Sequence, residues 1–277
     1  MSLSSFSNQS WSLSGKTAIV TGGSRGIGRA IAVHFARKGL KNLAITYASD
    51  SDAAQITIDE CRRLGVGQAI AIQANLLDPQ FGHIVIQKTL EGLGTTTIDI
   101  LVNNAVITAM KLIRPVTETT LDDFSQLMQG NVYSQLALTT ELLPHLPPKG
   151  GGRVINISSV AARIGNPSPT FVYGATKAAL ESITRSFAKE FAISTGATFT
   201  SVSVGPTATE AFEAAKESVP QEYLDAQIAA ITAAKRIGTP EDVAFIVGFL
   251  ASEESRWING ASISANGGLK EGLAALG

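Results

Sequence analysis

Several things are scarce in this chain, and each shortage narrows what it can be. One cysteine, Cys61, stands among 277 residues, so no internal disulfide can form and the fold rests on its core. Cys61 falls in a helical pattern and reads as a packing thiol, consistent with a reducing compartment. Charge of neither sign is in surplus, with 22 Lys plus Arg against 23 Asp plus Glu, which argues against nucleic acid or an anionic membrane as partner. No run of about eighteen apolar residues exists to span a bilayer. The opening M-S-L-S-S-F-S-N-Q-S-W-S-L-S-G-K lacks the basic start and apolar centre of a secretory signal. Residues 1–12 are therefore expected to be a loose tail ahead of a soluble, cytoplasmic domain. The three histidines, His34, His83 and His145, lie on separate helical segments without metal-ligand grouping, and no metal is expected. They and the two tryptophans, Trp11 and Trp257, read as structural side chains.

What is present is a large apolar fraction, 44% against 16% charged, as in a globular chain with a substantial core. The organising stretch is V-T-G-G-S-R-G-I-G, Val20 to Gly28. It follows a β-rich run, Thr17 to Val20, and opens a helical pattern with Ile27, Ile31 and Phe35 on one face. In such a strand, turn and helix, Gly22, Gly26 and Gly28 allow a tight turn and close approach to a pyrophosphate, which the new helix's N–H groups face. The loop predicts a bound dinucleotide.

The rhythm continues. Strands are predicted at Leu43 to Thr46, Ala69 to Ala74, Ile98 to Val102, Arg153 to Ser158, Phe199 to Val204 and Ala261 to Ala265. Helices are predicted at Ala53 to Leu64, Asp78 to Leu90, Leu121 to Leu143, Phe171 to Ile193 and Pro240 to Leu250. Seven strands with intervening helices and no linker predict one doubly wound α/β (Rossmann) domain over residues 13–277, with a mostly parallel sheet and helices on both faces. The alanine-rich stretch Thr209 to Ala234, broken by Pro220, follows a strand's carboxyl end. It is expected to be a substrate lid at about 207–234, or else a surface or subunit-contact helix pair.

Two features carry chemistry. Tyr173 and Lys177, in Y-G-A-T-K, stand four apart on one helix face, where an ammonium would draw the phenol's pKa down toward the range useful for proton transfer. Upstream, I-N-I-S-S places Ser158 and Ser159 at a strand's carboxyl end, where the nucleotide crevice of such folds lies; either could equally be a cap or turn former.

With these pieces in order, from about Leu13 to Leu269, the chain resembles the single-domain short-chain dehydrogenase/reductases. The matching motifs are T-G-G-S-R-G-I-G at Thr21 to Gly28, N-N-A at Asn103 to Ala105, Asn131, N-I-S-S ending at Ser159, Y-x-x-x-K at Tyr173 to Lys177, G-P-T-A-T at Gly205 to Thr209, and a terminal N-G-G. The Ser159 to Tyr173 spacing and the segment R-I-G-N-P-S-P-T-F-V are similar to those of fungal polyhydroxynaphthalene reductases; β-ketoacyl reductases are also similar. The resemblance implies that Tyr173 is the general acid for carbonyl reduction, or the base for alcohol oxidation. It implies that Ser159, the motif's second serine, hydrogen-bonds the substrate oxygen, that Lys177 holds the ribose hydroxyls, and that Asn131 anchors a proton-relay water. Cofactor contacts fall to Gly22, Ser24, Arg25, Gly26, Ile27 and Gly28 in the glycine loop, to Tyr47, Asn75, Leu76, Asn104 and Ala105, to Tyr173 and Lys177, and to Gly205, Thr207 and Thr209.

Cofactor choice follows from charge. A carboxylate at the end of the second strand would favour NAD, whereas Tyr47 stands there and Arg25 lies in the glycine loop, so NADP (NADPH) is expected, unless a shift of register brings in Asp50 or Asp52. Four positions depart from the family's pattern: Val106 for a glycine, Asn75 for an aspartate, Val204 for a proline and Asn266 for an aspartate. Val106 bears on pocket shape. The expected activity is NADPH-dependent reduction of a small-molecule ketone, in a pocket drawn from Val106, Ile107, Ile164 and Phe212, with an aromatic or polyketide-like substrate. The alternatives are a non-redox or alcohol-oxidising biosynthetic enzyme on the same fold, and a nucleotide-sensing binding protein. The family's usual assembly implies a homotetramer packed through the Leu121 to Leu143 and Tyr173 to Ile193 helices.

Overall fold

β-branched and apolar runs with polar punctuation build the elements in the order expected. A computed structural model describes residues 11–108, 114–168, 170–210, 212–213 and 221–269. The strands are β1 (Thr17–Val20), β2 (Asn42–Tyr47), β3 (Gln68–Gln73), β4 (Ile100–Asn103), β5 (Arg153–Ser159), β6 (Thr198–Val204) and β7 (Ser262–Ala265). They form one sheet in the order β3-β2-β1-β4-β5-β6-β7, and every neighbouring pair is parallel. The chain winds one way from β1 to β3 and the other way from β4 onward. A crevice therefore opens between the carboxyl ends of β1 and β4, the switch point at which such sheets bind ligands.

Side-chain alternation along each strand divides the core in two. Ala18 and Val20, Leu43 and Ile45, Ile100 and Val102, and Ile155 and Ile157 face one layer, packed under α1 (Gly26–Arg37), α2 (Ser51–Arg63) and the late helix Pro240–Ala251. Ile19, Ala44, Leu101 and Val154 face the other, with Phe81, Leu138 and Phe199, under α3 (Phe81–Leu93) and the helices that follow β4 and β5. Burial on both faces is why these strands read as continuous apolar runs.

The structure moves several predicted boundaries. The Asp78-Pro79 pair makes a turn, with Asp78 Oδ1 accepting from the Gln80 amide at 2.8 Å, so α3 starts at Phe81 rather than Asp78. Ile98 precedes β4 and donates its N–H to the His145 carbonyl. The single helix expected over Leu121 to Leu143 is three pieces: α4 (Leu121–Met128), capped by a Thr120/Asp123 capping box, a π-helical turn (Gln129–Tyr133), and α5 (Ser134–Leu142). After β5 comes α6 (Phe171–Thr195), closed by Gly196. The predicted lid is helical at Glu210, Phe212 and Glu213 and again in α7 (Gln221–Ala230); Pro220 lies outside the described residues. Its far end is tied down, since the Thr232 and Ala233 amides both donate to the Gly267 carbonyl. The Pro240–Ala251 helix, α8, has its own capping box on Thr239 and Asp242.

Burial pushes the Cys61 thiol up to about 12, an inert packing group. His34 is buried on α1, edge-on to Phe245. Trp11 packs against Phe249 and beneath Lys38, so the chain is docked from that residue onward. Trp257 corrects the expectation of a packing role: it is 96% exposed, because the turn before β7 points it away from both layers. Among the described residues no helix is long and apolar enough to cross a membrane, and no metal-binding cluster forms.

Candidate active site

The glycine loop is shaped by contacts with β2 and β4. Thr46 Oγ1 accepts from the Gly22 amide at 3.0 Å. Thr21 Oγ1 accepts from the amides of Asn104 and Ala105, both at 2.9 Å, and Asn104 Nδ2 donates to the Thr21 carbonyl at 2.8 Å. Thr21 and Asn104 thus stitch the loop to the N-N-A motif. Thr46, with no motif to announce it, was not among the expected site residues. Gly22 has a φ of +63, and a Cβ there would meet Ala105 Cα at 3.1 Å; a Cβ on Gly28 would run into the Gly22 carbonyl.

These constraints frame a crevice of about 770 Å³. Its floor comes from Gly22, Ser24, Arg25, Gly26 and Ile27, and its walls from Tyr47, Asn75, Leu76, Asn104, Ala105 and Thr209. Gly28 supports the loop from beneath. Arg25 offers α1 no side-chain cap, which leaves the first N–H groups and the positive end of the helix for an anionic group. The residues therefore fit a dinucleotide. Gly205 and Thr207 stand apart from the crevice: Gly205 packs against Asn266, and the buried Thr207 donates its hydroxyl to the Gly205 carbonyl at 3.0 Å.

At the crevice wall formed by its carboxyl end, β2 finishes on Tyr47, with no carboxylate at that position. Asp50 lines the crevice but is engaged, capping α2 through the Ala53 amide (2.9 Å) and pairing with Arg25 Nη2 at 2.7 Å. Asn75 Oδ1 accepts from the Leu77 amide at 3.0 Å and shapes the turn after β3. That turn is held by the π-helical segment and the residue after it, since Ser134 Oγ, at the start of α5, donates to the Leu76 carbonyl at 2.5 Å and Gln129 Nε2, in the π turn, to the Leu77 carbonyl at 2.7 Å.

Asn131 lies inside the same π turn and is 1% exposed. Its Oδ1 accepts from the Ile107 amide at 2.7 Å and its Nδ2 donates to the Ile107 carbonyl at 3.2 Å, so the side chain clamps the main chain just past N-N-A-V. The break in helical period brings this asparagine to face Ile107 and Thr176 together. Val106, Ile107 and Thr108 line the crevice next to the N-N-A motif. Ile164 instead packs in a small cluster with Val160, Ile231 and Leu269, and Phe212 is half-buried beyond Thr209.

Strand alternation separates the two serines at the end of β5. Ser158 turns inward and donates to Glu181 at 3.0 Å; Ser159 faces the opening, with its hydroxyl beside the Tyr173 phenol. Ser159 Oγ also accepts from the Ala161 amide at 3.2 Å, capping the short 3₁₀ turn Val160–Ala162. Below them Lys177 is 3% exposed, donates to the Ile157 carbonyl at 2.8 Å and lies 5.7 Å from the centre of the Tyr173 ring.

The electrostatics differ from the expectation. Burial pushes the Tyr173 phenol above its ordinary range, and the Ser159 hydrogen bond offsets this only in part. Burial likewise pulls Lys177 down to about 8. The ammonium, directed at the Ile157 carbonyl and 5.7 Å from the ring centre, does not outweigh the cost of burying a phenolate. The phenol keeps its proton, and an oxygen placed beside Ser159 would meet a hydroxyl pair.

Comparison with known proteins agrees with this geometry. A family model described as enoyl-(acyl carrier protein) reductase matches residues 22–270. The short chain dehydrogenase asqE of Emericella nidulans is 55% identical over 266 residues, covering 96% of this chain and 98% of that protein. The hydroxynaphthalene reductase arp2 of Aspergillus fumigatus is 35% identical over 260 residues, covering 91% of each. The crystal structure of the angucycline C-6 ketoreductase LanV with bound NADP superposes with a TM-score of 0.81 at 34% identity, over 93% of this chain and 96% of that one. The fold, the order of its motifs and these relatives together make the chain a member of the short-chain dehydrogenase/reductase family of oxidoreductases.

Proposed function

We propose that the protein reduces a ketone to a secondary alcohol with NADPH. The observation that carries this reading is the Ser159 hydroxyl and the Tyr173 phenol side by side above the buried Lys177, at the carboxyl edge of β5 beside a dinucleotide-shaped crevice. A sensor that only bound nucleotide would need no such hydroxyl pair. The nicotinamide, when bound, would supply the hydride. Ser159 holds the substrate oxygen, and Tyr173 delivers a proton to it as negative charge develops. The phenol is protonated at neutral pH, as a group that gives a proton to the developing alkoxide must be. Lys177 would hold the ribose hydroxyls of the bound nucleotide. Asn131, with its amide committed to Ile107, acts by holding that segment in place.

The preference for NADPH rests on Arg25 at the adenosine end and on the absence of a carboxylate at Tyr47. The apolar Val106 and Ile107, with the names of arp2 and LanV, support a polycyclic aromatic ketone as the substrate class. The exposed apolar side chains Leu121, Phe124 and Phe171 support assembly through α4 and α6, as in a homotetramer. The functional test is loss of NADPH absorbance against a panel of aromatic ketones, with NADH in parallel. Turnover with NADPH preference is expected; tight NADPH binding with no turnover on any ketone would overturn the reductase reading in favour of a nucleotide sensor.

A further inference from the structure

Tyr173 and Lys177 have a third partner on the same helix face. Glu181 follows Lys177 by four residues, is 4% exposed, and faces the same side of the sheet. Its two carboxylate oxygens are shared among three donors on two segments. Oε1 accepts from Ser158 Oγ and from Ser262 Oγ, each at 3.0 Å, and Oε2 accepts from Arg163 Nε, also at 3.0 Å. Ser158 precedes Ser159 and Arg163 follows the 3₁₀ turn that Ser159 caps, so one carboxylate grips the Ser159 segment at both ends. Ser262 adds β7, across the sheet edge.

The segment's far end is tethered too. Asn166 Nδ2 donates to the Ala161 carbonyl at 2.7 Å and to the Ile164 carbonyl at 3.2 Å, and it sits so close to α6 that a Cβ on Gly174 would collide with it. A buried carboxylate is costly unless it is paired and hydrogen-bonded, and here the pairing is spent on one short turn. A neutral, apolar side chain would have packed α6 on β5 at less electrostatic cost. What the carboxylate adds is direction: two hydroxyls and a guanidinium converge on it and fix where β5 ends.

We infer that Glu181 is a positioning residue for the reduction, acting through Ser159 by holding residues 158 to 163 against the helix that carries Tyr173 and Lys177. The inference rests on the proposed reductase reading, in which Ser159 holds the substrate oxygen. Misplacement of a reacting group by about an ångström costs on the order of 100-fold in rate, so loosening this tether should be felt in kcat.

The test is Glu181→Gln in the full-length protein, alone and combined with Ser159→Ala. Glu181→Gln should lower kcat on a ketone substrate by about 10-fold or more while NADPH affinity, read by fluorescence, stays within about twofold. Amide hydrogen exchange should quicken at Ala161 and its neighbours, whose order depends on the Ser159 cap. In the Ser159→Ala background the further loss in kcat should shrink to less than about twofold, because the group being positioned is gone. An equal fold-loss in both backgrounds, or unchanged exchange over residues 159–163, would overturn the inference. Ser158→Ala removes one of the three donors without touching the charge; if Glu181→Gln does not fold, it should show the same effects in smaller measure, and an unchanged kcat would equally overturn the inference. A parent protein that reduces no ketone sinks the functional reading alone, and the exchange result then still decides whether Glu181 holds the turn.

Discussion

Lys177→Met tests the electrostatics of the site without any cofactor. The ammonium is buried and its pKa is drawn down to about 8, against an ordinary value of 10.5. At about 1.36 kcal/mol per pH unit, holding that charge at neutral pH costs the fold roughly 3 kcal/mol. Methionine has similar length and no charge, but it abandons the hydrogen bond to the Ile157 carbonyl, which returns about 1 to 2 kcal/mol. At pH 7 the variant should therefore be more stable than the parent by about 1 to 2 kcal/mol, although turnover is lost. The pH dependence is the sharper test. Between about pH 8 and the unfolded value near 10.5, the unfolded parent binds a proton that the native parent has shed, so the parent gains stability as pH rises, whereas the variant lacks this gain. The advantage of Lys177→Met should narrow by roughly 1.4 kcal/mol per pH unit across that window. Tyr173, present in both proteins, cancels in the comparison. Urea unfolding at pH 7, 8, 9 and 10 measures the gap directly. A gap independent of pH, or a parent more stable than the variant at pH 7, would refute the claim that burial governs Lys177.

Tyr173→Phe removes the proton donor but little of the packing, so turnover should fall to background while NADPH affinity changes by less than about twofold in fluorescence titration; retained turnover would exclude Tyr173 as the acid. Arg25→Ala should weaken NADPH binding by about 10-fold and NADH binding far less. Equal weakening of both would place Arg25 on a part of the cofactor that the two share. Asn131→Ala frees the part-buried Ile107 amide and carbonyl together and should cost about 1 to 3 kcal/mol in urea unfolding, with kcat falling alongside. For Gly28→Ala, the new methyl meets the Gly22 carbonyl, and isothermal titration should show NADPH binding weakened by more than about 100-fold, with stability lowered by about 1 to 3 kcal/mol.

The kind of fold, and which residues are candidates for its chemistry, was legible in the sequence because the signals are local. The strand, glycine turn and helix at Thr17 to Arg37 depend on backbone freedom at a few glycines and on a hydrophobic period, and the same alternation repeated down the chain implies a parallel sheet. Tyr173 and Lys177 share a helix face by spacing alone. Other features arose only when distant segments met. The π turn around Asn131 breaks a run of helix-forming residues that reads as one helix; the bonds that it and Ser134 beside it make to Leu76, Leu77 and Ile107 are long-range, and no local propensity encodes them. The resemblance already picked Ser159 over Ser158, but the physical reason lies in the orientation of β5, which sends one toward Glu181 and the other toward Tyr173. Spacing placed an ammonium near a phenol, but the direction of the phenol's pKa belongs to burial, which exists only once β5 and α6 have packed. Trp257 marks the same limit from the other side: a large apolar residue implies packing until the fold leaves it facing outward. Residue identity along a short stretch settles which groups are available, and tertiary packing settles their surroundings, because desolvation and convergent hydrogen bonds are properties of neighbours far apart in the chain.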